Sequence, residues 1–109
     1  MVTYAEEVLD ALGDPTRRKI FKRLRSGARS VGEIAEGMDV SRPAVSQHLK
    51  VLKDARLVTD RAEGTKRLYA VDSRGIEAVR GWLDGFWDTA LDAFKEAAER
   101  EAARERKPK

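Results

Sequence analysis

The chain has 109 residues, 22 Lys and Arg against 19 Asp and Glu, no cysteine and a formal net charge of +3. That length sets one domain as the default, the missing cysteine excludes disulfides, thiol catalysis and thiolate metal sites together, and no apolar run is long enough to span a membrane. The opening MVTYAEEVLD is acidic where a signal peptide would be basic, which points to a cytoplasmic protein. The charge is unevenly spread. Residues 1–14 carry four acids and no base, residues 15–74 carry 15 Lys and Arg against 7 Asp and Glu, and residues 75–109 are close to balance. A positive region gathered in mid-chain is the electrostatic footprint of nucleic-acid binding, and a mixed solvated surface is its bland alternative.

Thr3-Tyr4-Ala5-Glu6 reads as a capping box, starting a short helix with Tyr4, Val8, Leu9 and Leu12 on one side and Gly13 at its end. Asp14-Pro15 opens a second helix, with the acid at the N-cap and proline at the first helical position. Ile20, Phe21 and Leu24 form its buried stripe, and Ser26-Gly27 closes it. Ser30-Val31-Gly32-Glu33 is another capping box and begins a third helix that ends near Gly37. Ser41 caps a fourth, running to about Asp54 with Pro43 tolerated in its first turn. Ile34, Ala35, Met38, Val40, Val45, Leu49 and Leu52 give this pair of helices one buried face each.

The period then changes. Residues 57–61 and 67–71 read as strands around Glu63-Gly64-Thr65-Lys66, a hairpin with basic residues on both sides of its turn. Ser73 is expected to cap a last helix, about 74–103, whose apolar residues are Ile76, Val79, Leu83, Phe86, Trp87, Ala90 and Phe94. The charged tail EAAEREAARERKPK is expected to extend this helix and then fray. The fold class is therefore mainly α with a small β-hairpin. It reads as a single winged helix-turn-helix domain over residues 1–109, with the helix-turn-helix at 31–54, the wing at 57–72, and N- and C-terminal helices for dimerisation.

A helix-turn-helix places its second helix in the major groove of DNA. On a wheel at about 100° per residue, Val45, Leu49 and Leu52 cluster on one side, with Pro43, Gln47 and Lys50 opposite and Arg42 and Ser46 flanking. The Gln47 amide can pair bidentately with adenine, and Arg42 can read guanine or hold a phosphate. Ser41 and Ser46 suit phosphate contacts, which position without specifying sequence. Lys66 and Arg67 on the wing suit phosphates or the minor groove. Arg17 and Arg18 could also reach phosphates, or pair with acids of the first helix. His48, the only histidine, lies about 60° from the core centre. It is expected to be half-buried against a backbone carbonyl. One histidine without cysteine makes neither a metal site nor a catalytic triad.

The last helix points to self-association. Residues 1–72 supply a core for themselves, so its aromatic stripe would face water in a monomer, and a patch of that size marks an interface. Tyr4, Val8, Leu83, Phe86, Trp87 and Phe94 are the expected pairing residues.

Ala11-Leu12-Gly13-Asp14-Pro15-Thr16-Arg17-Arg18, then Ser41-Arg42-Pro43-Ala44-Val45-Ser46-Gln47-His48-Leu49, then the wing ending in Arg67-Leu68-Tyr69 resemble, in that order, the ArsR-type winged-helix regulators. The resemblance covers roughly residues 5–72. It implies a homodimeric transcriptional repressor of an inverted-repeat operator in double-stranded DNA, with first and last helices paired across the dimer. Metal-sensing members carry a Cys-x-Cys where this chain has Ser30 and Gly32, and others bind zinc through histidines of a last helix that here has none. Neither metal sensing nor any other cofactor is therefore expected. Arg56 stands where the family has Gly, at a left-handed position that costs a non-Gly residue about 1 kcal/mol. It reads either as tolerated drift or as an extra phosphate contact. The aromatic density at Trp82 and Trp87 suggests an unidentified small apolar effector entering beside the first helix. The chain has no nucleophile–base pair and no phosphate-binding glycine loop, so it is not read as an enzyme. The alternative function is a winged-helix protein-interaction module that has lost DNA binding.

Overall fold

The structure is a computed structural model that describes residues 3–105. Its first helix starts where the capping box sets it. Thr3 Oγ1 accepts the Glu6 N–H at 3.2 Å, and the Glu6 carboxylate accepts the Thr3 N–H at 3.2 Å. The result is α1 (Tyr4–Ala11), followed by α2 (Pro15–Arg23), whose first turn is capped by Asp14 accepting the Thr16 N–H at 2.8 Å. Arg17 and Arg18 neither stand free nor pair with acids of α1. The Arg17 Nε donates to the Ala11 carbonyl, and Arg18 Nη1 donates to those of Leu12 and Gly13. They satisfy carbonyls that the end of a helix leaves without partners.

A two-residue strand, β1 (Arg29–Ser30), precedes α3 (Val31–Ala35) and α4 (Arg42–Asp54). Then come β2 (Val58–Glu63), β3 (Lys66–Val71) and α5 (Ser73–Glu105). The wing is thus the larger part of a three-stranded antiparallel sheet in the order β1-β3-β2, not an isolated hairpin. Arg29 sits opposite Tyr69 and Ser30 opposite Leu68, while β2 and β3 pair from Val58↔Val71 to Glu63↔Lys66. Gly64 turns the hairpin at φ 62°, a conformation open to glycine at no steric cost. Ser73 does not cap the last helix. It is the first helical residue, and Asp72 before it accepts the Arg74 N–H at 3.0 Å. The expected fraying of residues 106–109 lies outside the described residues.

The chain divides into two compact units, Met1–Val79 and Arg80–Lys109, with α5 running through the boundary. The core belongs to the first: Val8, Ile20, Leu24, Ile34, Val45, Leu49, Leu52, Leu57 and Val58 are all buried. Each such side chain contributes roughly 1.5–3 kcal/mol by leaving water. Val8, expected on a pairing surface, has no exposed area. Its place one turn from Ala5 and Ala11 turns it inward, so it is a core residue of the protomer. In the second unit Trp82 and Phe86 pack edge to face with centroids 4.7 Å apart.

The end of α4 is tied to the start of α5. Ala55 closes α4, Arg56 follows at φ 59°, and the Leu57 and Arg56 N–H groups return to the Leu52 and Lys53 carbonyls, both at 2.9 Å. This is a Schellman motif with an arginine at the position glycine favours. The Asp72 and Gly75 N–H groups then donate to the Leu57 and Arg56 carbonyls. A Cβ on buried Gly75 would stand 2.8 Å from the Arg56 carbonyl oxygen and 2.9 Å from Leu57 Cδ2, so this approach requires glycine.

Candidate nucleic-acid interface

Helix α4 presents two opposed faces. Val45, Leu49 and Leu52 are at 0% exposure, while Ser41, Arg42, Pro43, Ser46, Gln47 and Lys50 are exposed. Ser41 is the N-cap, its Oγ accepting the Ala44 N–H at 3.3 Å. That bond leaves its hydroxyl proton free to donate to a phosphate oxygen. The Arg42 side chain folds back across α3. Its Nη2 lies 3.2 Å from the point where a Cβ on Gly32 would stand. The bare glycine makes room for the guanidinium there, while Ser30 caps α3 by accepting the Glu33 N–H. Among the described residues no three His, Cys, Asp or Glu side chains gather as a metal-ligand set.

Arg42, Lys66 and Arg67 meet around one open cavity whose wall is completed by Ser30, Val31, Gly32, Glu33 and Glu36, three cations against two carboxylates. The head of α4 and the wing therefore form one basic surface. Asp60, which the sequence reading did not single out, ties the last turn of α4 to the wing. Its carboxylate lies 2.8 Å from Lys53 Nζ of α4 and 2.9 Å from Arg67 Nη1 of β3. The Lys53 hydrogen bond, and then the charges of both cations, hold the Asp60 carboxyl below the usual carboxylate range against the opposing effect of its burial. Arg67 is thus partly committed to holding the wing, whereas Lys66 is exposed at the hairpin end. A helix residue and two strand residues brought together only by the β2–β3 register leave no local pattern, which is why Asp60 was not visible beforehand.

Arg23 was missed for the same reason. Its Nη1 donates to the carbonyls of Ile34, at 3.1 Å, and Glu36, closing the end of α3. His48 is half-buried as expected, but its neighbour is a carboxylate: Nδ1 lies 3.9 Å from Asp14 Oδ2. The Asp14 carboxyl is itself lowered, first by the Thr16 N–H, then by the charges of Arg17 and His48. Arg56 is exposed, but its guanidinium lies over α1. Its Cζ lies 5.9 Å from the centroid of the Tyr4 ring, and the Tyr4 hydroxyl donates to the Ala55 carbonyl at 2.8 Å. An arginine stacked this way is a tie between α1 and the end of α4, and it offsets part of its backbone strain.

Of the expected pairing residues, Tyr4 is at the edge of exposure with its hydroxyl committed to Ala55, whereas Leu83, Phe86, Trp87 and Phe94 are 51%, 61%, 65% and 73% exposed. Among the described residues no helix is long and apolar enough to cross a membrane.

Comparison with known proteins agrees with this architecture. A family model described as a helix-turn-helix domain matches residues 12–61. The HTH-type transcriptional regulator Rv2034 of Mycobacterium tuberculosis is 50% identical over 93% of this chain and 96% of its own length. The transcriptional repressor SdpR of Bacillus subtilis is 35% identical over 72% of this chain and 88% of its own. The homodimeric winged helix-turn-helix DNA-binding domain of Mb0332 from Mycobacterium bovis, linked to the ArsR family, superposes with a TM-score of 0.62 at 29% identity, over 86% of this chain and 83% of that domain. Sequence, wing and recognition helix agree: the chain belongs to the ArsR family of winged helix-turn-helix, DNA-binding transcriptional regulators.

Proposed function

We propose that the protein is a cytoplasmic, homodimeric repressor that reads an inverted-repeat operator without a metal signal and without catalysing a reaction. Gln47 and Arg42 read base edges. Ser41, Ser46 and Lys50 hold phosphates with Pro43 beside them, and Lys66, with the remaining donors of Arg67, follows the backbone or the adjacent minor groove. One observation carries this reading: Arg42 meets Lys66 and Arg67 around a single cavity, beside an α4 face whose Ser46, Gln47 and Lys50 are all exposed. Two copies joined through the exposed aromatic stripe of α5 would offer two such faces about one helical turn of DNA apart, or a multiple of it. The repressor name of SdpR and the homodimeric state of Mb0332 support the same reading.

Selection of bound duplexes from random DNA tests it. The expected result is a twofold-symmetric consensus whose affinity falls steeply as salt rises, because neutralised phosphates release counterions. No enriched sequence, or binding indifferent to salt, would sink this proposal and favour the protein-interaction module.

A further inference from the structure

A second basic cavity shares the Glu33 wall with the first. Lys22, Arg23, Arg25, Ser26 and Arg29 line the rest of it, so it opens where the last turn of α2 meets β1. Two of its cations have structural duties. Arg23 closes α3, and Arg29 donates from Nε to the Arg23 carbonyl at 2.9 Å and from Nη2 to Ser26 Oγ at 2.9 Å. Lys22 and Arg25 are exposed, and their side chains make no hydrogen bond or ion pair among the described residues. Glu33 stays ionised and offsets only one of the four cations that line the cavity. Its carboxylate is occupied by the Ser30 N–H and hydroxyl, at 3.2 and 3.0 Å. Glu33 lines both cavities, which therefore adjoin across it.

We propose that this cavity is a second DNA-backbone subsite, in which Lys22 and Arg25 hold phosphates beyond those reached by α4 and the wing. The proposal rests on the DNA-reading function above. Its shape favours a backbone over a small anion. The cavity is open, its free cations sit on long flexible stems, and a small ligand is ordinarily enclosed by fixed polar groups. Continuity across Glu33 with the Arg42–Lys66 cavity places it on the same surface.

The test uses a Lys22→Gln/Arg25→Gln variant of the full chain and the duplex recovered by selection, with anisotropy titrations across a salt series. Affinity is expected to fall about threefold to tenfold, equally on preferred and scrambled duplexes, and the salt slope to become shallower by about 1–2 per protomer. The thermal midpoint should not move, and a charge-preserving Lys22→Arg/Arg25→Lys variant should bind like the original. A glutamine variant that keeps the original slope overturns the subsite, as does a loss confined to the preferred sequence or shared by the charge-preserving variant. If inorganic phosphate raises the thermal midpoint of the original chain only, while both DNA slopes coincide, the cavity holds a free anion and the DNA subsite is overturned. If the original chain itself shows no salt-dependent DNA binding, the DNA-reading function fails first, and the subsite falls with it.

Discussion

Helices α4 and α5 carry comparable apolar content and treat it in opposite ways. In α4 the apolar residues Val45, Leu49 and Leu52 vanish into the core, leaving a polar outer face. In α5, thirty-three residues long, Gly75 is the one buried residue, and Leu83, Phe86, Trp87, Leu91 and Phe94 stay in water. A helix whose hydrophobic face is satisfied within the protomer is free to offer its other face to a ligand. A helix whose hydrophobic face is unsatisfied calls for another protein surface. On the function proposed above, the two regions divide recognition from assembly, and each can be perturbed separately.

The largest effect should come from α5. Replacing Phe86 and Trp87 with Glu should leave the helical circular dichroism intact, shift the sedimenting species to monomer and weaken operator binding roughly 100-fold or more, because paired half-sites lose their mutual effective concentration. A variant that still sediments as a dimer would break the comparison. Leu49→Ala should act on the other side of the divide. It removes a fully buried side chain, so about 2–5 kcal/mol of unfolding free energy should be lost in a denaturant titration, with no change of oligomeric state at low temperature. Gln47→Ala should spare both fold and assembly and relax discrimination at one base position of the selected site by about 1–3 kcal/mol.

Acid should loosen the tie between recognition helix and wing. The Asp60 carboxyl is lowered in the folded state, so its contribution is fully present above the unfolded carboxylate value near 4 and is lost as pH falls through the lower folded value. Asp14, Glu33 and Asp72 are lowered in the same direction, the last chiefly by its Arg74 hydrogen bond. The thermal midpoint should therefore hold through neutral pH and drop only below about 4, and Asp60→Asn should flatten part of that drop. The smallest effect is expected at Arg56→Gly. Relief of about 1 kcal/mol of left-handed strain is nearly offset by loss of the stacking on Tyr4. The thermal midpoint should barely change, and the salt slope of DNA binding should stay as it was. A shallower slope would restore the phosphate-contact reading of Arg56.

Much of this was readable before any fold was known. The boxes Thr3/Glu6 and Ser30/Glu33 work within three residues of chain, and both form as read. The outer face of α4 follows from helical period alone: Arg42, Pro43, Ser46, Gln47 and Lys50, which the wheel placed there, are all exposed. Other features were out of reach. Strand β1 has two residues, too few to show an alternation, and exists because Tyr69 and Leu68 lie across from it. Ser73 read as the cap of the last helix, whereas hydrogen-bond geometry gives that place to Asp72. Val8 read as a pairing residue and is instead buried where α4 packs against α1. Arg17 and Arg18 read as phosphate contacts or partners of first-helix acids, and Arg23 drew no reading; they close the ends of α1 and α3.

What the amino-acid order determined alone is the set of helices, the caps of the first four, the two faces of α4, and the family they belong to. Those properties depend on residues within about a turn of one another, through hydrogen bonds and spacing that the chain carries locally. The tertiary structure decided which charges are free and which are committed. Arg67 and Lys53 share Asp60, Arg56 stacks on Tyr4, and Arg42 lies over Gly32 beside Lys66. Contacts between residues so far apart along the chain exist only after the core has closed and the sheet register is set, because only then are their side chains within a few ångströms of each other.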